Sequence, residues 1–212
     1  ETKVPTQFAV HNNIVATTFW VGEDEPQTSS WENQKNAWGR EWVTEYYGEK
    51  TATDFKSVIK SQNMPTSFYV TQGFGGDKYY CSKLFVQGFS PFYLALPCHP
   101  DETTLDTGVY SSIGEGSWIK LINENNKVCY GRFMDTGPWL ATISKEDRCS
   151  YVFGDKTPSQ YNSAAGIDLS PSLAYCLFGE RSVNTNNGKI SWQFVDKSEV
   201  DSPSCPRRRA TV

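Results

Sequence analysis

The stretch Val-Cys-Tyr-Gly-Arg-Phe-Met-Asp-Thr-Gly-Pro-Trp at 128–139 carries the strongest structural signal in this chain of 212 residues. Its first seven residues have the apolar character of a strand, and Asp135 stands where that strand breaks into a tight turn. A second stretch, Gly-Ile-Asp-Leu-Ser at 166–170, sets Asp168 between two apolar residues just ahead of a short predicted helix. Ser170 is the expected N-cap of that helix, because a proline follows it at the first helical position.

Asp135 and Asp168 both have apolar neighbours, so we expect both side chains to be partly buried. Burial raises the pKa of a carboxyl group, and this suits a general acid that must hold a proton near neutral pH. The alternative is structural. Asp135 would then only accept hydrogen bonds from turn amides, and Asp168 would only organise the start of a helix.

Around these two stretches the pattern predicts many short strands and few helices. The expected strands lie at 14–21, 68–70, 84–86, 92–96, 118–122, 127–134 and 190–195. Four residues, Asn-Glu-Asn-Asn at 123–126, predict a hairpin turn in which asparagine adopts left-handed backbone geometry. An all-β barrel decorated with helices fits this order better than an alternating parallel α/β sheet. No linker rich in Gly, Ser or Pro interrupts the chain, so residues 1–212 are expected to form a single domain.

Aromatic residues recur with helical spacing between positions 29 and 48. Trp31, Trp38 and Trp42 lie seven and four residues apart, which predicts a helix with one aromatic face. Ser29 or Ser30 would cap this helix, and the glycine at position 48 would end it. We expect the aromatic face to be buried against the rest of the protein.

Composition excludes several classes of function. The chain has 20 Lys and Arg against 24 Asp and Glu, so its net charge of −4 argues against nucleic acid as a partner. No window approaches the roughly 20 consecutive apolar residues of a membrane-spanning helix. With only His11 and His99 present, a metal hydrolase or a serine triad is disfavoured, and carboxylates remain as the catalytic groups. No metal and no cofactor is therefore expected.

The six cysteines are scattered, without the close pairs that usually mark a zinc site. Disulfides in an oxidising compartment are the favoured interpretation, although sequence cannot choose among the 15 possible pairings. The chain starts at Glu1 without a leader, as expected of a mature secreted or periplasmic protein. The cysteines are Cys81, Cys98, Cys129, Cys149, Cys176 and Cys205.

The motif at 135–139, followed by the motif at 166–170 and a helix, resembles the double-psi β-barrel of rare lipoprotein A-like lytic transglycosylases and expansins. Three further segments resemble parts of that family in the same order, namely 16–20, 95–97 and 118–133. The resemblance implies a mainly β fold, a six-stranded double-psi β-barrel with helical and loop insertions. The barrel core would occupy about 14–22 and 92–178, with an insertion at 23–90 and a C-terminal strand and tail at 179–212.

The same resemblance implies a secreted protein active on cell walls or polysaccharides, with peptidoglycan as the preferred substrate. Asp168 would be the acid/base that protonates the leaving glycosidic oxygen, and Asp135 would be its partner. Glu23, just after the first strand, would be a third carboxylate.

Three aromatic residues are candidates for stacking on sugar rings, because a ring offers a flat apolar face to the C–H face of a sugar. They are Trp20, Trp139 and Tyr151, and the alternative for each is a place in the hydrophobic core. Two other functions remain open. One is a non-catalytic polysaccharide-binding module of the expansin type, and the other is a secreted barrel that binds a protein partner as an effector or inhibitor.

Overall fold

A computed structural model describes residues 8–19, 35–40, 92–103, 111–178 and 188–200 of the chain. These ranges contain six β-strands and two α-helices, together with three short 3₁₀ turns at Pro100–Glu102, Ser159–Asn162 and Lys197–Glu199. The strands are β1 His11–Thr18, β2 Tyr93–Leu96, β3 Trp118–Asn123, β4 Val128–Thr136, β5 Ala165–Leu169 and β6 Gly188–Phe194. The helices are α1 Lys145–Phe153 and α2 Pro171–Phe178.

The six strands form a closed barrel in the order β1-β5-β2-β4-β3-β6. Two neighbouring pairs are parallel, β1 with β5 and β2 with β4. The other four contacts around the barrel are antiparallel. The prediction of a mainly β barrel with few helices is therefore confirmed for the described part of the chain.

The pairing pattern repeats after three strands. If β1 is exchanged with β4, β2 with β5 and β3 with β6, the parallel pair β1–β5 becomes the parallel pair β4–β2. The same exchange converts the β3–β4 hairpin contact into the β6–β1 contact. The contacts β2–β5 and β3–β6 map onto themselves. The barrel thus consists of two three-strand halves with equivalent partners.

Large apolar side chains fill the barrel interior and leave almost no surface exposed. The fully buried examples include Ile14, Leu94, Leu96, Ile119, Leu121, Phe133, Ile167, Leu169, Trp192 and Phe194. All four residues of β2 are buried, so this strand is covered on both faces. Because side chains alternate between the two faces of a strand, the outer face of β2 must also be covered by other parts of the chain.

Most of the predicted strands around the two aspartates are confirmed. The hairpin turn between β3 and β4 has the expected left-handed asparagine, since Asn126 has φ 59°. The side chain of Asn123 fixes this turn by accepting hydrogen bonds from the backbone N–H groups of Asn125 and Lys127, each at 2.9 Å. The strands predicted at 68–70 and 84–86 lie outside the described residues.

The helix predicted across 29–48 is wrong at residues 35–40, where the chain forms a turn. Asn36 is the physical reason, because its side-chain oxygen accepts from the N–H groups of Trp38 and Arg40. An asparagine that bonds its own following backbone offers the chain an alternative to the helix. Gly39, with φ 79°, completes the turn.

The two helices differ in how well the sequence indicated them. Helix α2 was expected after the second motif, and the Ser170 hydroxyl accepts from the Leu173 N–H at 3.3 Å, as an N-cap does. Helix α1 was not predicted. It begins after Ser144, whose side chain accepts from the Asp147 N–H at 3.0 Å. It buries Tyr151 and its apolar neighbours on one side.

Two disulfides join the helices to the barrel, in line with the expectation for the cysteines. Cys98–Cys149 links the residues after β2 to α1, and Cys129–Cys176 links β4 to α2. Cys81 and Cys205 lie outside the described residues. Within the ranges that the structure covers, no helix is long and apolar enough to cross a membrane.

Candidate carboxylate site

The strand register brings Asp135 and Asp168 into one row across the barrel wall. Ala95 of β2 is the partner of Asp135 on one side and of Asp168 on the other. Asp168 is in turn the partner of Thr17 in β1. Directly opposed residues of neighbouring strands point to the same face. The sequence separates the two aspartates by 33 positions, and the barrel brings them within two strand spacings.

This row lies on the outer face of the barrel. Ile167 and Leu169, which flank Asp168, are fully buried in the core, so the side chain between them points the other way. Two strand spacings place the backbones of Asp135 and Asp168 roughly 10 Å apart. The residue of β2 between them is Ala95, whose side chain is only a methyl group.

Each carboxyl group of the row is held by a hydrogen-bond donor. The Thr17 hydroxyl donates to Asp168 Oδ1. The backbone N–H of Ala37 donates to Asp135 Oδ1 at 2.8 Å. A further backbone N–H, that of Thr136, also bonds to the Asp135 carboxylate. These donors fix the orientation of both groups.

Burial dominates the electrostatics of the pair. Burial and, to a smaller extent, the negative charge of Asp168 raise the pKa of Asp135 to about 7, against the opposing effect of the two backbone N–H donors. Burial likewise raises the pKa of Asp168 to about 6, against the effect of the Thr17 hydroxyl. Both side chains keep partial contact with solvent. The pair can therefore retain a proton near neutral pH and exchange it with a ligand.

The turn after β4 explains the glycine two residues after Asp135. Gly137 has φ 148°, a backbone region that L side chains rarely adopt, and its N–H donates to Leu96 O at 3.1 Å. A Cβ atom added at Gly137 would lie 3.6 Å from Asp168 Oδ2. The turn thus stays hydrogen-bonded to the end of β2 and borders the carboxyl group of Asp168.

Trp139, at the end of the same turn, is 53 % exposed. The guanidinium of Arg148 lies 4.9 Å from the centre of its ring. Arg148 is held in turn by a hydrogen bond from its Nη1 to Ile143 O at 2.9 Å. An exposed indole of this kind keeps the flat apolar surface that a sugar ring requires, so Trp139 remains a candidate stacking residue.

Tyr151 is completely buried, and this corrects its assignment as a stacking residue. Its hydroxyl donates to Gly166 O at 3.0 Å and accepts from Trp192 Nε1 at 2.7 Å. The ring lies on the side of α1 that packs against the barrel, so it offers no surface to a ligand. We assign Tyr151 to the core. The other two predicted residues, Trp20 and Glu23, lie outside the described residues.

The two histidines have structural surroundings. His11 is buried in β1, stacks on Trp192 with ring centres 4.3 Å apart, and bonds Thr157 Oγ1 through Nδ1 at 2.9 Å. His99 accepts from the Asp101 N–H and caps a 3₁₀ turn.

Among the residues described, one group has the spacing of a metal site, Cys98, Glu102 and Cys149. Its two cysteines are joined in a disulfide and offer no thiolate.

Sequence reasoning missed three residues of the site. Thr17 and Ala95 are ordinary strand residues, and only the pairing of strands distant in sequence reveals their place in the row. Ala37 contributes a main-chain N–H, which leaves no mark on side-chain chemistry.

Comparison with protein-family models, curated proteins and solved structures finds no match for this chain.

Proposed function

We propose that this chain is a secreted, glycan-active protein of the double-psi β-barrel type that cleaves glycosidic bonds, with peptidoglycan as the preferred substrate. One observation carries the proposal. Asp135 and Asp168 share a largely buried row on the outer face of the barrel, are held by donors and have pKa values raised to about 7 and 6. Such a pair has the properties of a general acid/base at neutral pH.

The barrel type is supported by the strand pairing. Six strands close with two parallel contacts, and the pattern repeats between the two three-strand halves. The aspartates of the two motifs that resemble the family both lie near the carboxyl end of a strand, Asp135 in β4 and Asp168 in β5. Two disulfides support placement in an oxidising compartment outside the cytoplasm.

The proposed reaction uses one proton of the pair. Protonated Asp168 gives its proton to the glycosidic oxygen while the bond between that oxygen and the anomeric carbon breaks. A hydroxyl of the same sugar then attacks the anomeric carbon, closes an anhydro ring and returns a proton to the Asp168 carboxylate. Asp135 has the higher pKa, about 7 against about 6 for Asp168, so it is also largely protonated, and therefore neutral, in the state in which Asp168 carries the reacting proton.

The direct test is digestion of purified peptidoglycan by the full chain, with mass detection of anhydro-muropeptides. We expect product from the wild type and a loss of roughly 100-fold or more for Asp168→Asn. Asp196→Asn is the matched control, because this exposed aspartate lies after β6 and away from the row. Absence of product from the wild type would refute the reaction. Product that survives Asp168→Asn at the control level would instead refute the assignment of Asp168.

A second function, polysaccharide binding without cleavage, is favoured by the exposed ring of Trp139. In that case insoluble peptidoglycan or cellulose would retain the wild-type chain in a sedimentation assay, and Trp139→Ala would reduce retention. Asp168→Asn would leave retention unchanged. Binding that depends on Trp139, combined with no released product, would select this function over catalysis.

A further inference from the structure

Residues 35–40, called the strap below, form a closed turn against the candidate site. Gly39 N–H donates to Asn36 O at 2.8 Å, so Asn36 to Gly39 form a β-turn with Ala37 at its second position. The Asn36 side chain is buried and braces the turn from within through Trp38 N–H and Arg40 N–H. The strap is therefore a structured unit with a defined direction for each N–H.

Two contacts fasten the strap to the barrel on either side of Ala37. The Trp38 ring packs edge-on against Phe133, with centres 5.1 Å apart, and lies 4.7 Å from the ring of His99. Asn36 Nδ2 donates to Glu115 Oε1 at 2.8 Å. Phe133 is two residues before Asp135 in β4, so the anchor lies on the strand that carries the carboxyl group.

Between these anchors the Ala37 N–H reaches Asp135 Oδ1 at 2.8 Å. A backbone N–H can only donate, so this oxygen is committed to accepting. The Ala37 N–H therefore favours the ionised form of Asp135. Asp168 differs, because the Thr17 hydroxyl that contacts it can donate or accept as the protonation state requires.

We propose that the strap is a working part of the carboxylate site, in which the Ala37 N–H positions Asp135 and favours its ionised form. Ala37 is thus a positioning residue supplied by the segment predicted to be an insertion, and its catalytic meaning rests on the proposed function. Among the residues that the structure describes, the charged and titratable groups near Asp135 are Asp168 across Ala95, and Glu115, Arg40 and His99 at the base of the strap.

Ala37→Pro tests the proposal, because proline removes the N–H and is favoured at the second position of a β-turn. The readout is a carboxyl ¹³C NMR titration of the full chain. A hydrogen bond to the ionised form lowers a carboxyl pKa, so its removal should move the Asp135 titration to higher pH. Ala37→Gly keeps the N–H and should titrate like the wild type.

A second variant covers the case in which Ala37→Pro does not fold. Trp38→Ala removes the anchor on Phe133 and should move the Asp135 titration in the same direction, whereas Trp38→Phe retains an aromatic anchor and should move it less. An unchanged Asp135 titration in folded Ala37→Pro, or in Trp38→Ala where the proline variant does not fold, would overturn the proposal.

The titration is independent of catalysis, so the two proposals fail separately. If the wild type releases no product but the titration shifts, the strap positions a carboxyl group that has another use. If product is released, the pH profile of cleavage by Ala37→Pro should shift to higher pH together with the titration. A cleavage profile identical to that of Ala37→Gly would remove the strap from the mechanism.

Discussion

At the scale of single residues, Asp135 and Asp168 are placed between opposing influences. Burial favours the protonated form of each, and the charge of Asp168 adds to this at Asp135, while the donors from Ala37, Thr136 and Thr17 favour the ionised forms. Burial is the larger effect for both groups. The folded protein therefore binds protons at this site more tightly than the unfolded chain, and this difference has consequences for stability as well as for chemistry.

Replacing Asp135 by asparagine should change how stability depends on pH. The folded pKa of about 7 lies above the value of an unfolded aspartate. The free energy of unfolding should therefore be unaffected below about pH 4 and fall as pH rises from about 4 to 7. Asp135→Asn should be more stable than the wild type at pH 8 by roughly 1–3 kcal/mol, and similar to it near pH 3.5.

Urea unfolding at several pH values measures this difference in stability. Asparagine is the suitable replacement because its side-chain oxygen can still accept the hydrogen bond from the Ala37 N–H. Asp196→Asn is again the control, and its stability should follow the wild type throughout. A profile for Asp135→Asn that runs parallel to the wild type between pH 4 and 8 would contradict the raised pKa of Asp135.

The Thr17 hydroxyl should govern the acidity of the other carboxyl group. Thr17→Val removes the donor to Asp168 Oδ1 while keeping the shape of the side chain. The pKa of Asp168 should then rise, because its ionised form loses a hydrogen bond. Thr17→Ser retains the hydroxyl and should restore the wild-type titration in a carboxyl NMR experiment. If Asp168 has the same pKa in Thr17→Val as in the wild type, the Thr17 hydroxyl does not control the acidity of Asp168.

At the scale of elements, the local sequence pattern predicted where most of the strands and helix α2 lie, but it did not predict which strands pair. The β3–β4 hairpin and α2 carry their turn and cap signals within a few residues, as Asn126 and Ser170 show, whereas β5 was not predicted as a strand. The turn at 35–40 escaped because the spacing of Trp31, Trp38 and Trp42 resembles a helix, while one side chain, that of Asn36, redirects the backbone. Periodicity reports which residues are apolar and leaves such a competing bond unseen.

The two aspartates of the site could be predicted from the local sequence, but their partners on neighbouring strands could not. Asp135 and Asp168 stand out because each interrupts an apolar run, and that local irregularity is visible in the sequence. Their partners Thr17 and Ala95 depend on parallel pairing between strands far apart in the chain. Tyr151 was misassigned because an aromatic side chain has the same chemistry in a core as on a surface, and only the packing of α1 distinguishes the two.

Gly166 determines how closely β5 packs against its surroundings. A Cβ atom at this position would lie 2.8 Å from Ile14 Cγ2 and 2.9 Å from Tyr161 Cβ. Gly166→Ala should therefore destabilise the fold by roughly 1–3 kcal/mol through overpacking. Gly114→Ala is the control, because a Cβ there meets nothing within 4 Å, and its unfolding free energy should change little. Equal denaturation midpoints for the two variants would contradict this packing.

At the scale of the whole molecule, the barrel depends on contacts between distant parts of the chain. The first strand, β1, pairs with both β5 and β6, so the barrel closes only after nearly the whole chain is available. Bringing such strands together requires long loops to be ordered first, which makes folding slow and costly in entropy. The two described disulfides shorten these loops, since they span 51 and 47 residues.

Removing either disulfide should cost a similar free energy, because the cost of closing a loop depends only weakly on its length. Replacing Cys98 and Cys149 together by alanine, or Cys129 and Cys176 together by alanine, should each lower the free energy of unfolding by about 4 kcal/mol. Urea denaturation of the two double variants against the oxidised wild type measures the losses. A loss below about 1 kcal/mol for either pair would contradict an entropic role for that bond. A large difference between the pairs would show that contacts of α1 or α2 in the folded barrel, rather than the unfolded chain, set the effect.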